Sequence, residues 1–120
     1  MANPFVHVEL MSTDVAKAKS FYGKLFDWQL EDVPMEDMAY TMIKVGEGTG
    51  GGLMKNPIPG ASSTWVPYVL VDDLKAATAK ARSLGGTVMK EATEVMGAGS
   101  FTIVTDPTGA VLGLWQPKKG

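Results

Sequence analysis

The sequence predicts an α+β fold of two tandem βαβββ modules, whose strands form a curved, largely antiparallel sheet around a cleft. Three observations lead there. The order of strand and helix patterns in the first half recurs in the second, and a stretch with two prolines and a glycine, NPIPGASS, separates the halves. Setting Asp14-Val15-Ala16-Lys17-Ala18 on Asp73-Leu74-Lys75-Ala76-Ala77 aligns strand with strand and pairs His7 with Val66 and Glu9 with Tyr68. The chain has 120 residues, which suits a single domain. Within it, module one runs over about residues 1–57, the linker over about 58–63 and module two over about 64–120.

Each element has its own signal. FVHVELMS alternates as a strand does, and Ser12, Thr13 and Asp14 are N-cap candidates for a helix. In that helix Val15, Ala18, Phe21, Tyr22 and Leu25 recur at spacings of three and four and form the expected apolar face. DWQLEDV and MAYTMIKV read as strands, and GEGTGGG as a glycine-rich hairpin leading into a short strand, GLMKN. In the second half TWVPYVLV is a strand, and Asp72 or Asp73 caps a helix with Leu74, Ala77, Ala81 and Leu84 on its apolar side. Gly85 or Gly86 ends it. TVMKEATEV is the next strand, and SFTIVTD and AVLGLWQP pair across the turn DPTG.

Composition narrows the function. Hydrophobic residues make up 45% and charged residues 20%, a globular balance. A formal net charge of −2 offers no basic footprint for nucleic acid or an anionic membrane, and Lys118 and Lys119 read as a solvated tail. With no cysteine, disulfides, thiolate metal sites and a cysteine nucleophile are excluded. No apolar run reaches the length of a membrane span, and MANPFVHVEL lacks the pattern of a secretory leader, so a cytoplasmic protein is expected.

Strand parity sorts the side chains. Val6, Val8 and Leu10 are expected under the helix, while Phe5, His7, Glu9 and Met11 face the cleft. Tyr40, Met42 and Lys44 share a face opposite Thr41, Ile43 and Val45. In the second half Trp65, Val69 and Val71 take the helix side, and Val66, Tyr68 and Leu70 the cleft side. Near the end Ala110, Leu112 and Leu114 are helix-side, and Val111, Gly113 and Trp115 face inward. The cleft lining is thus His7, Glu9, Met11, Tyr40, Met42, Tyr68 and Trp115, a mixed polar, aromatic and thioether surface suited to a small molecule. Trp115 and Tyr68 serve equally as stacking platforms or as core. His7, the only histidine, and Glu9 read either as an acid/base pair or as polar lining. GEGTGGG lacks the lysine and following helix of a phosphate loop, and reads as a flexible lip.

The segments VHVELMSTDVAKAKSFYGKLFDW, WVPYVLVDDLKAATAKARSLGG and TIVTDPTGAVLGLWQP together resemble the vicinal oxygen chelate superfamily, the glyoxalase, bleomycin-resistance and extradiol dioxygenase group. The resemblance covers essentially the whole chain. Asp27 departs from it, standing where many relatives have glycine before the aromatic residue. Metal-dependent members, by that resemblance, carry ligands on the first and last strand of each module. Those four positions fall on His7, Gly52, Val66 and Gly113, only one of which carries a donor side chain. The resemblance therefore implies a protein binding a small, apolar or aromatic, neutral or cationic molecule without the family's metal site or any other cofactor, and forming a homodimer. The alternative is a divergent lyase, isomerase or dioxygenase that uses His7 with a non-standard divalent metal site, or His7 and Glu9 as a metal-free acid/base pair.

Overall fold

The computed structural model describes residues 3–33, 40–95 and 97–118. The expected start of the third strand at Met38 and Ala39, and the tail residue Lys119, lie outside them. The elements follow in the order β1 (Phe5–Ser12), α1 (Val15–Leu25), β2 (Gln29–Val33), β3 (Tyr40–Lys44), β4 (Gly51–Lys55), β5 (Thr64–Leu70), α2 (Leu74–Ser83), β6 (Thr87–Val95), β7 (Gly99–Thr105) and β8 (Val111–Pro117). This is βαβββ twice. The chain divides into two compact units, one of residues 7–66 and one of residues 67–120 together with the opening of β1. Both dividing points fall inside strands, after Val6 in β1 and after Val66 in β5. Residues 3–6 join the latter unit because the Leu70 amide donates to the Pro4 carbonyl at 2.9 Å and the Asn3 side chain donates to the Leu70 carbonyl at 2.8 Å.

In the unit of residues 7–66, β2, β3 and β4 form an antiparallel meander, and β1 lies parallel to β4 with Glu9 opposite Gly52 and Met11 opposite Met54. The other unit repeats the plan: β6, β7 and β8 are antiparallel and β5 runs parallel to β8, with Tyr68 opposite Gly113. Each helix starts the same way. Asp14 accepts from the Lys17 amide and Asp73 from the Ala76 amide, both at 3.1 Å, which satisfies one of the donors that a helix N-terminus leaves open. Gly85, at φ +95°, follows α2 in the left-handed conformation that glycine adopts without strain.

Among the described residues, an apolar cluster packs beneath each helix. Leu10, Ile43 and Leu53 are buried against Val15, Ala18, Tyr22, Trp28, Leu30 and Val45. Val71, Leu74, Val104 and Leu114 are buried against Ala77, Ala81, Val88 and Leu112. Inside the latter unit Thr78 and Thr102 are both buried and bond hydroxyl to hydroxyl at 3.0 Å.

Several expected core residues lie elsewhere. Phe21 and Leu25 are more than half exposed, because the stripe Val15, Ala18, Tyr22 alone meets the cluster of this short helix. Leu84 is exposed because the helix has ended at Ser83 and the chain is turning into Gly85. Val6 precedes the covered part of β1 and is exposed, and Ala110 is exposed just ahead of β8. Trp65 is 37% exposed and leans on α1, its indole N–H 3.3 Å from the Tyr22 hydroxyl.

Candidate functional site

Strand alternation puts His7, Glu9 and Met11 on one side of β1, away from the cluster that contains Leu10. Antiparallel pairing then sets Met42 opposite Gly52 and Tyr40 opposite Met54 on the same side. Glu9 is 4% exposed and Met11 1%, while His7, Tyr40 and Met42 are partly buried. A buried carboxylate demands compensation, since taking the charge out of water without a partner costs several kcal/mol, ~3–5 kcal/mol when one partner of a buried pair is removed.

Tyr40 supplies that partner. Its hydroxyl donates to Glu9 Oε2 at 2.8 Å, and His7 Nε2 lies 3.0 Å from the same hydroxyl and 3.5 Å from Oε2. The protons follow from donor capacity. With the single phenolic proton donated to Glu9, the phenol oxygen is left to accept from His7 Nε2–H, which assigns the Nε2–H tautomer. The result is a directed chain, His7 N–H to Tyr40 O–H to Glu9 carboxylate. Hydrogen bonds to a charged acceptor are the strong ones, and this chain ends on one.

Gly52 makes room for the chain. A methyl group at residue 52 would overlap the Tyr40 hydroxyl and ring carbon Cζ as well as Glu9 Oε2. Tyr40 therefore fills the place where a side chain from β4 would stand. The other unit shows the same substitution of an aromatic ring for a side chain. A methyl at Gly113 would lie 2.6–2.8 Å from three ring carbons of Tyr68, which is 1% exposed and meets Phe101 edge-on with centroids 5.8 Å apart. Trp115 pairs with Phe101 across β7 and β8, and its ring lies 2.8 Å from where a methyl on Gly99 would be. Val66 is fully buried.

Among the described residues no three His, Cys, Asp or Glu side chains gather to hold a metal ion. The four positions of the family's metal set hold one imidazole, one buried valine and two glycines roofed by tyrosines, which does not fit a divalent cation that needs three or four donors. The structure thus brings His7, Glu9 and Tyr40 together and lays Met42 and Met11 on the same side of the strands, while Tyr68, expected to line the cleft, is buried in the core of the other unit and Trp115 is partly buried there. Lys44, expected beside Tyr40, points to solvent and pairs with Glu31 at 2.6 Å. Parity could place Tyr40 on the right face, but its bridging role depends on the β3–β4 register and on Gly52, which sequence spacing does not reveal.

Asp32 and Asp106 are held below the ordinary aspartate range, and neither belongs to the site. For Asp32 the leading cause is the hydrogen bond from Lys19, followed by Thr41; for Asp106 it is the Thr108 hydroxyl, followed by the Ala110 and Thr108 amides of the turn.

The family profile described as Glyoxalase/Bleomycin resistance protein/Dioxygenase superfamily matches residues 5–114. CFP32 of Mycobacterium tuberculosis, provisionally named a glyoxylase, is 37% identical over 118 residues, covering 93% of this chain and 45% of the relative. The anthracycline biosynthesis protein DnrV of Streptomyces peucetius is 26% identical over 123 residues, covering 90% of this chain and 45% of DnrV. The chain therefore spans about half the length of the curated relatives it matches. Among solved structures, methylmalonyl-CoA epimerase from Mycobacterium tuberculosis is similar with a TM-score of 0.68 at 18% identity, covering 96% of this chain and 88% of that one. A hypothetical protein from Bacillus halodurans gives a TM-score of 0.70 at 15% identity, covering 100% and 98%. At those identities the likeness is one of fold.

Proposed function

This chain belongs to the glyoxalase/bleomycin resistance protein/dioxygenase superfamily, and from that premise we propose that it binds a small organic molecule on the His7–Tyr40–Glu9 face without the family's metal site. The observation that carries the reading is the Tyr40 hydroxyl seated over Gly52 and bonded to buried Glu9. It supplies polar anchoring from protein hydrogen bonds where metal-dependent members place a ligand. Around it Met11, Met42 and Met54 give an adaptable apolar lining, and Glu9 is a ready counter-charge for a cationic group. The ligand class is an apolar or aromatic molecule, neutral or positively charged, bound in the cytoplasm by a homodimer.

A thermal-shift screen of planar aromatic compounds, neutral and cationic, tests the reading. A compound at a hundredfold excess over Kd should stabilise the fold by about 2.7 kcal/mol, and the increment should shrink in Glu9→Gln and Tyr40→Phe. Stoichiometric Zn, Mn, Ni or Fe in protein purified without a chelating tag, lost in His7→Ala, would overturn it.

The directed hydrogen-bond chain favours a second reading as well. Glu9 can accept a proton from an acidified C–H of the bound molecule while Tyr40 and His7 reorganise behind it, which is metal-free acid/base catalysis. Exchange of a ligand C–H for deuterium in D2O, abolished in Glu9→Gln while binding persists, separates this from binding alone.

A further inference from the structure

We infer that the unit of residues 7–66 has a second binding pocket, on the side of β1 opposite Glu9, for a small, flat, uncharged aromatic molecule. The pocket has a volume of about 250 Å³. Its walls are Val8, Ile43, Val45, Trp28 and Trp65, and Thr49 stands at its exposed rim. Val8 sits between His7 and Glu9 in the strand, so alternation turns it to the face away from them. The site is therefore separate from the one proposed above.

Three features define the occupant. Among the described residues no charged side chain lines the pocket, and the Thr49 hydroxyl is the one side-chain polar group there apart from the indole nitrogens, so burying an ion against them would carry an uncompensated desolvation cost. The two indoles pack edge to face on each other at 77° with centroids 6.3 Å apart, so aromatic carbon forms much of the wall, a surface that suits a planar apolar guest. An apolar cavity of about 150 Å³ takes up benzene, and this pocket has room for a further fused ring.

Aromatic contacts fix the walls, and glycines form the rim. The Trp65 indole N–H bonds the Tyr22 hydroxyl, and Tyr22 stacks on Trp28 at 5.8 Å, so both tryptophans are held in place without a ligand. Gly50 and Gly51 border the pocket where β4 closes on its neighbours: a methyl at Gly51 would overlap the Val8 carbonyl, and one at Gly50 would lie 3.0 Å from the Ile43 carbonyl. Gly46 and Gly48 adopt positive φ, the left-handed conformation that glycine takes without strain, with open space beside them at the turn that leads into the rim.

Titration of the isotope-labelled 120-residue chain with unlabelled indole, followed by 1H–15N NMR, provides the test. The side-chain N–H signals of Trp28 and Trp65 and the amides of Gly50 and Gly51 should shift saturably, while that of Trp115, in the other unit, stays still. Val45→Phe, which fills the pocket, and Thr49→Phe, which blocks its rim without touching the core, should each weaken indole binding at least tenfold with spectral dispersion retained. Equal movement of Trp115, no saturable shift, or undiminished binding in both variants would overturn the assignment. So would Trp28 and Trp65 signals that move with protein concentration alone, since a second copy of the chain would then cover this face.

Discussion

Adding one methyl group at Gly52 should break the candidate site from beneath. In Gly52→Ala the new carbon cannot coexist with the Tyr40 hydroxyl, Tyr40 Cζ and Glu9 Oε2 where they stand, so the ring must leave. Two costs follow. Overpacking of a filled interior costs about 1–3 kcal/mol, and depriving buried Glu9 of its hydroxyl donor costs about 1–3 kcal/mol more. We expect a loss of about 2–6 kcal/mol, a large fraction of the stability of a domain this size. Tyr40→Phe removes only the donor and should cost about 1–3 kcal/mol. In the double variant the Tyr40–Glu9 hydrogen bond is lost once, not twice, so the combined loss should fall short of the sum by about 1–2 kcal/mol. Urea unfolding followed by circular dichroism, with the slopes checked for constancy, gives all four corners of the cycle. Strict additivity, or a Gly52→Ala loss below about 0.5 kcal/mol, the scale of an unremarkable surface change, would refute the argument that Tyr40 occupies the place of a side chain at residue 52.

Two further outcomes are expected. Thr78→Val or Thr102→Val alone should destabilise by about 1–3 kcal/mol, by stranding a buried hydroxyl, whereas the double change should cost much less than the sum; equal additive losses in chemical denaturation would contradict the pairing. Asp106 and Asp32 titrate below their ordinary value of 3.8 in the folded chain, so the stability they confer is complete above that value and is lost as pH falls through their folded values; Asp106→Asn should therefore flatten the decline in melting temperature below pH ~4, and an unchanged acid limb would count against the turn network.

Much of this architecture was legible because the signals were local. The repeated strand–helix order and the turn at Asp106–Gly109 are specified by neighbouring residues and appear where expected, and the N-caps fall within the candidate sets, on Asp14 out of Ser12, Thr13 and Asp14 and on Asp73 out of Asp72 and Asp73. Parity placed Glu9 and Tyr40 on one face for the same reason. The failures share another cause. Phe21, Leu25 and Leu84 fit the helical period, yet a period says only which way a side chain points and not how far the sheet beneath extends. Tyr40 as the bridge between His7 and Glu9 required a strand register and a vacancy at Gly52, both products of tertiary pairing. The pocket between Trp28 and Trp65 joins residues from strands and loops far apart in the chain, and the sequence held no pattern for it.

The two glycines under tyrosine rings also constrain how such a chain can change by mutation. A glutamate arriving at residue 52 or 113 finds its space taken by Tyr40 or Tyr68, so it is damaging until the ring shrinks. A smaller residue arriving first at position 40 strips Glu9 of its donor, and one at position 68 leaves a hole in a core. Either order passes through a weakened intermediate. The arrangement is mutually enforcing within each half: a side chain at residue 52 or 113 is accommodated only with a second change at residue 40 or 68, which is steric epistasis between strand neighbours.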